Sequence, residues 1–269
     1  MLELEFNDLD NFLLSNRNKI IHQIWFGTIP NKKEAKKAYE KLKLFRNSWI
    51  IKNPTWFRME WNKKQAETLV KTWYSEHYET YKGYKHEIQR CDFVRYLILH
   101  RYGGWYADMD YHCCKPLNDV MTAYCNDIYF VQTPNNYFGN TDYVSNSLMY
   151  SLAGHTFWKQ LLINLERNRN TPLFYSKHLQ VMFTTGPGIL NRVYSKYKDA
   201  YTLRSLPWKL FHPYGLNDDK LNINRTDIYA IHIGKGSWEN KDSKIIIFLA
   251  TNWILVVFII FVLSVNFLF

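Results

Sequence analysis

Asp108 and Asp110 stand two residues apart behind a short apolar stretch, Trp105-Tyr106-Ala107, which itself follows Gly103-Gly104. Two carboxylates so spaced at a strand end can both reach one divalent cation, directly or through water. Hard ions such as Mg2+ and Mn2+ take oxygen ligands and keep positions open for diphosphate oxygens. Such an ion neutralises charge on a departing nucleoside diphosphate. An Asp-x-Asp pair is common in proteins, so its surroundings carry the argument. Asp92 and Arg95 lie three apart upstream and share one helix face. That face points towards the same turn. An intrahelical ion pair is the plain structural reading of the two. The functional reading is that they hold hydroxyls of a donor sugar.

The elements that must position these residues alternate in type. Residues 19–25 form a β-branched run ending at Gly27 and predict a buried strand. Residues 34–52 predict a helix that stops before Asn53-Pro54. Residues 56–61 predict a second strand, and 65–77 and 87–102 predict helices. Two glycines then release the chain into the strand 105–107. Residues 128–132 and 228–233 predict further strands, and 157–168 a helix. Alternation of this kind predicts an α/β fold with a mostly parallel central sheet.

The stretch 92–110, DFVRYLILHRYGGWYADMD, resembles the signature of the sugar-binding-region Asp-x-Asp glycosyltransferases. This is glycosyltransferase family 32, which holds yeast α-1,6-mannosyltransferase and the inositol-phosphoceramide mannosyltransferases. Lys19-Ile20-Ile21-His22-Gln23-Ile24-Trp25-Phe26-Gly27 resembles the family's opening strand. Asn146-Ser147-Leu148-Met149-Tyr150 with Gly154-His155, Thr185-Gly186-Pro187, and His232 with Gly236-Ser237-Trp238 resemble its later motifs. The resemblance implies a GT-A fold over 19–240, with 1–18 as an N-terminal extension. It implies Mn2+ or Mg2+ and a hexose (mannose, glucose or galactose) moved with retention from a GDP- or UDP-hexose to a lipid or glycan acceptor. By position, Asp108 and Asp110 are the catalytic pair, and with His232 they bind the metal. Trp25, Asp92, Arg95, Asn146, Gly186, Ser237 and Trp238 are the implied donor contacts, with Trp25 stacking on the base. For Trp25 or Trp238 alone, core packing is the competing reading, and for His232 a structural histidine. Cys91 departs from the pattern, because the family has a small residue there.

The chain has 269 residues, enough for one sizeable core. With 47% hydrophobic and 22% charged residues it reads as globular. The net charge of +10 suits nucleic acid, anionic lipid or a phosphorylated small molecule. No zinc finger, RNA-binding signature or basic repeat is present, so nucleic acid is not predicted as a partner. Lys32, Lys33, Lys36, Lys37, Lys41 and Lys43 fall at helical spacing and predict a solvated helix face. The cysteines, Cys91, Cys113, Cys114 and Cys125, form no CxxC pair and predict no structural zinc site.

The acidic N-terminus lacks an apolar run of signal-peptide length. Residues 245–269 hold no charge and predict a transmembrane helix in the bilayer. Lys235, Lys241 and Lys244 precede that segment, which predicts a single-pass C-terminal anchor with the body in the cytosol. Two other functions compete. A metal-dependent phosphohydrolase needs its first Asp as nucleophile after a long apolar strand, usually with Thr or Val two residues past the second. Here His112 stands there, with Asp218-Asp219 as distant acidic candidates. An inactive membrane-tethered protein that binds sugar nucleotide or glycan is the other, and intact Asp92, Arg95, Asp108 and Asp110 argue against it.

Overall fold

The computed structural model describes residues 2–27, 31–124, 126–133, 142–170, 176–212 and 226–233, with 243 and 245. In chain order, α1 (Leu2–Ser15) precedes β1 (Ile20–Ile24), and α2 (Lys32–Lys41) and α3 (Lys43–Lys52) lead to β2 (Phe57–Trp61). Then α4 (Lys63–Trp73), α5 (Tyr78–Gly83) and α6 (Glu87–Tyr102) lead to β3 (Gly104–Ala107) and β4 (Tyr111–Cys113). After α7 (Leu117–Ala123) come β5 (Ile128–Gln132) and β6 (Val144–Ser151). Finally α8 (Phe157–Arg167), α9 (Lys177–Thr184) and α10 (Pro187–Tyr197) precede β7 (Leu203–Leu206) and β8 (Ala230–His232).

Six strands form one sheet in the order β2-β1-β3-β6-β5-β7. β1 pairs in parallel with β2 and β3, and β5 with β7. β6 runs antiparallel to both β3 and β5, so five strands point one way and β6 is reversed. The α/β class predicted from the alternation holds, with a mixed sheet. β1 is buried at every position because strands cover both its edges. Alternation along the strands divides the core in two. Ile20, Tyr106 and Phe130 face the side covered by α6, while Ile21, Trp105 and Tyr129 face the side that holds Trp49 of α3.

α6 is the central helix. It is buried nearly all round, which marks an interior helix rather than a surface one. Asp92 and Arg95 are therefore inside the protein. The helix ends at Gly103 with φ 65, and Gly104 follows with φ 86. A Cβ on Gly103 would run into Asn18 and the Ala153 backbone, and one on Gly104 into the Ile20 carbonyl. His22 fixes this turn from β1. Trp61 Nε1–H donates to His22 Nδ1 (3.1 Å), so the ring proton sits on Nε2 and is donated to the Gly103 carbonyl (3.0 Å).

The sequence reading does not predict α1, α5, α7, α9, α10, β4 or β7, and two further elements depart from it. The helix predicted over 34–52 is two helices, broken at Leu42 (φ −87, ψ 0), whose N–H turns back to Tyr39 O. No glycine or proline marks that break. β6 was not foreseen because VSNSLMYS lacks polar–apolar alternation, yet all eight residues are buried. Its Ser and Asn side chains are satisfied inside: Ser145 and Ser147 bond each other (2.6 Å), and Asn146 bonds Asp92 (3.0 Å).

The predicted membrane anchor is corrected. Among the described residues no helix is long and apolar enough to cross a membrane. The longest of them, α6, has 16 residues, short of the roughly 20 that a span requires, and it carries charges into the protein core. Of the segment 245–269 only Ile245 is described, and it is exposed. The rest of the segment lies outside the described residues, and the single-pass localisation is withdrawn.

Gly104→Ala is expected to destabilise the fold by at least about 2 kcal/mol, since left-handed backbone strain adds to an overlap with backbone that cannot yield. Gly83→Ala, where an added Cβ meets nothing, is the control, and urea midpoints compare the two. A second expectation concerns acid. Burial holds the His22 pKa at about 3, below its ordinary 6.5. Between those values the unfolded chain binds a proton that the folded chain does not, so stability falls as pH drops through this window. Acidifying from about pH 7 to about pH 5 is expected to remove about 2 kcal/mol through this group. His22→Gln is expected to flatten the dependence of the urea midpoint on pH by that share.

Candidate active site

Asp108 leaves β3 and Asp110 enters β4, so both carboxylates sit on the turn between the main sheet and the two-stranded β4–β8 ribbon. The Asp108 N–H donates to Ser147 O on β6 (2.8 Å), and its carbonyl accepts from the Tyr111 N–H (3.2 Å). Met109 is buried between the acids. β8 pairs antiparallel with β4 and sets His232 opposite Tyr111. The Ile233 N–H donates to Asp110 O (3.2 Å), tying the ribbon to the turn. His232 Nε2 thereby lies 3.1 Å from Asp110 Oδ1, across 122 residues of sequence. Tyr111 stacks on the imidazole, with ring centres 4.3 Å apart and planes at 4°.

One ligand atom each from Asp108, Asp110 and His232 lies within 4.8 Å of the others. Two carboxylates and one imidazole form a mixed oxygen and nitrogen set that suits Mg2+ or a first-row divalent ion. Three side chains leave coordination positions for ligand oxygens. Burial raises the Asp108 pKa, and the Arg95 charge opposes that. Burial works against the charged form of His232, but the Asp110 and Asp108 carboxylates outweigh it and leave its pKa above the ordinary value.

Behind the triad lies a buried polar network. Arg95 Nη1 donates to Asp108 Oδ1 (3.1 Å) and to Asn146 O (2.8 Å), and Nη2 pairs with Asp92 Oδ1 (2.9 Å). Asn146 Nδ2 donates to Asp92 Oδ1 (3.0 Å) and Tyr96 OH (3.1 Å), and Thr185 Oγ1 to Asp92 Oδ2 (3.2 Å). Asp92 and Arg95 are each only 3% exposed. Burial lifts the Asp92 pKa to about 6, with Arg95 pulling down and Asp108 pushing up. Tyr106 OH also donates to Asp108 Oδ1 (2.7 Å). Among the described residues, Arg95 and Tyr106 both contact Asp108 through Oδ1.

The structure brings Asp92, Arg95, Asn146, Asp108, Asp110 and His232 into one connected cluster. Trp25 leaves β1 at the same carboxyl edge of the sheet, where ligands bind in open α/β sheets. Its ring centre lies 5.6 Å from that of Tyr39, a neighbour from α2 rather than from the acidic pair. The Gly186 N–H is taken by Val181 O (2.7 Å), and a Cβ there would press on that carbonyl, so this glycine packs the start of α10. Ser237 and Trp238 lie outside the described residues, as do Asp218 and Asp219.

Tyr106, Tyr111, Gln23 and His212 were not foreseen. Tyr106 had a signal, for it stands two before Asp108 and strand alternation puts both on one face. Gln23 Nε2 approaches the Asp108 carbonyl (3.4 Å) and its Oε1 accepts from Arg58 Nε (2.7 Å). His212 Nε2 meets Tyr111 OH (2.6 Å) from 101 residues away, which no local pattern announces. Burial and nearby His232 hold His212 far below the ordinary imidazole value, so it is neutral.

Residues 39–127, which include this turn, match the model of the family described as glycosyltransferase sugar-binding region containing DXD motif. Inositol phosphoceramide mannosyltransferase 3 of Schizosaccharomyces pombe is 26% identical over 90% of this chain and 61% of that protein. An uncharacterized glycosyltransferase of Acanthamoeba polyphaga mimivirus is 29% identical over 81% of this chain and 82% of that protein. The chain spans about three fifths of the length of the fission-yeast relative. Among solved structures, PaToxG Glycosyltransferase aligns with 72% of this chain and 76% of its own, at 16% identity and TM-score 0.48. The matched family model and the named relatives bear out the resemblance to the Asp-x-Asp glycosyltransferases.

A divalent ion that binds the folded triad is expected to raise the thermal midpoint. At a hundredfold excess over its dissociation constant the gain is about 2.7 kcal/mol. Asp110→Asn and His232→Ala are each expected to abolish the Mn2+-dependent shift in thermal scans, while leaving the metal-free midpoint within a few degrees of the parent.

Proposed function

We propose that this chain is a metal-dependent retaining glycosyltransferase that moves a hexose from a GDP- or UDP-hexose to a glycolipid or glycan hydroxyl. The observation that carries the reading is the convergence of Asp108, Asp110 and His232 within ligand reach of one another at the sheet's carboxyl edge. The mannosyltransferase and inositol phosphoceramide in the yeast relative's name favour mannose and a glycolipid acceptor. The arrangement suits a GT-A site, with the donor lying over the β1 and β3 ends.

Asp108, Asp110 and His232 would hold Mn2+ or Mg2+. When bound, the ion supplies positive charge that stabilises the departing nucleoside diphosphate. The chain's own residues preorganise the site for that task. Arg95 and Tyr106 hold Asp108 by one oxygen, so its carboxylate is aimed before any ligand arrives. Tyr111, stacked on His232 and held by neutral His212, fixes the imidazole plane. Trp25 at the strand end offers a ring to the nucleotide base, and Ser237 with Trp238 would close over the diphosphate.

The test uses the full chain with GDP-mannose, UDP-glucose and UDP-galactose. Release of nucleoside diphosphate is measured with and without Mn2+. Metal-dependent release from one donor is expected, lowered about 100-fold or more in Asp110→Asn. Donor binding without release would favour the inactive binding protein. Neither release nor binding would overturn the proposal.

A further inference from the structure

Residues 32–52 carry seven lysines and Arg46 against Glu34 and Glu40, a net +6 within a chain of net +10. α2 has no buried residue. Its half-buried Ala35, Ala38 and Tyr39 lie on one side, and exposed Lys33, Lys36, Lys37 and Lys41 on the other. α3 continues the surface in an unusual way. Leu44, Ile50 and Ile51 are 59%, 51% and 71% exposed. Lys43 and Lys52, both exposed, bracket them.

The inner side of α3 explains why it cannot roll these aliphatics inward. Trp49 Nε1–H donates to Tyr111 O (3.0 Å), and the Cys113 N–H donates to Ser48 Oγ (2.8 Å). Both bonds reach β4, the strand that leaves Asp110. The helix is thus pinned to the site on one side and displays apolar groups on the other. Single exposed aliphatics are ordinary. Three on one ten-residue helix, framed by lysines and continued by a lysine face, have the composition of an interfacial membrane surface. Lysine stems can lie along the apolar groups while their ammonium ends reach phosphates.

We propose that the outer face of α2 and α3 docks on an anionic lipid surface, with Leu44, Ile50 and Ile51 entering the acyl boundary and the lysines on headgroup phosphates. The surface needs no transfer activity to act. Where the glycolipid-acceptor reading holds, docking brings the lipid plane to one helix from β4 and the acidic turn.

The experiment is flotation of the full chain with phosphatidylcholine vesicles, and with the same vesicles holding about 30% phosphatidylserine. Stronger partition to the anionic vesicles is expected, and its loss at about 0.5 M salt. The triple variant Lys33→Gln, Lys37→Gln, Lys41→Gln is expected to lower that partition about 100-fold. Ile51→Ser is expected to lower it about 10-fold. Thermal midpoint and nucleotide release without acceptor are expected to stay unchanged in both variants. Equal partition to neutral and anionic vesicles would overturn the proposal, because the lysine face predicts a preference for anionic lipid. So would unaltered anionic partition in both variants. Binding to an RNA homopolymer, lost in the triple variant, with no vesicle binding would overturn it in favour of a nucleic-acid face. Absence of nucleotide release in a parent chain that partitions as expected would sink the transferase reading alone.

Discussion

A guanidinium buried between two carboxylates is the constraint on which the site depends. Arg95 reaches Asp92 on its own helix and Asp108 beyond the strand that follows. Removing a charge from water costs several kcal/mol, and only close, well-bonded partners offset that. Asp92, Asp108 and the Asn146 carbonyl are those partners. The requirement runs both ways. α6, β3 and β6 must meet at one place or a buried charge is left alone. Asp108 is therefore held where α6, β3 and β6 meet, while Asp110 and His232 come from the β4–β8 ribbon beside the main sheet.

The turn that delivers Asp108 is equally constrained. Gly103 and Gly104 take left-handed backbone where neighbouring backbone leaves no room for a side chain. His22 holds the first of the two carbonyls from β1, and burial keeps its ring neutral. The path from helix end to acidic pair thus leaves the backbone little freedom. This precision favours electrostatic preorganisation, in which charged groups are placed before the ligand arrives.

Around this rigid centre the molecule divides its labour. β4 links the acidic turn to β8, and so to His232. The same strand anchors α3, whose outer side carries exposed aliphatics among lysines. Asp92 and Arg95 are paired with each other, and Arg95 also holds the Asp108 carboxylate. Their near-complete burial places them beneath the site.

Much of the centre was legible in the chain itself. The Gly-Gly turn, the strand and Asp-x-Asp are local, and local geometry follows from residue type. Helix 87–102 and strand 128–132 were bounded by their apolar runs as the structure bounds them. Asp92 and Arg95 were paired from spacing alone, because three residues make one helical face. His232 rested on resemblance, and its place beside Asp110 was decided by pairing across 122 residues. Tertiary structure alone decided the reversed strand β6, whose buried serines and asparagine erase the usual alternation. It alone split the helix at Leu42 and brought His212 to Tyr111. Local sequence sets backbone preference and side-chain spacing. Which distant groups meet is set by the sheet order, where each buried polar atom must find its partner.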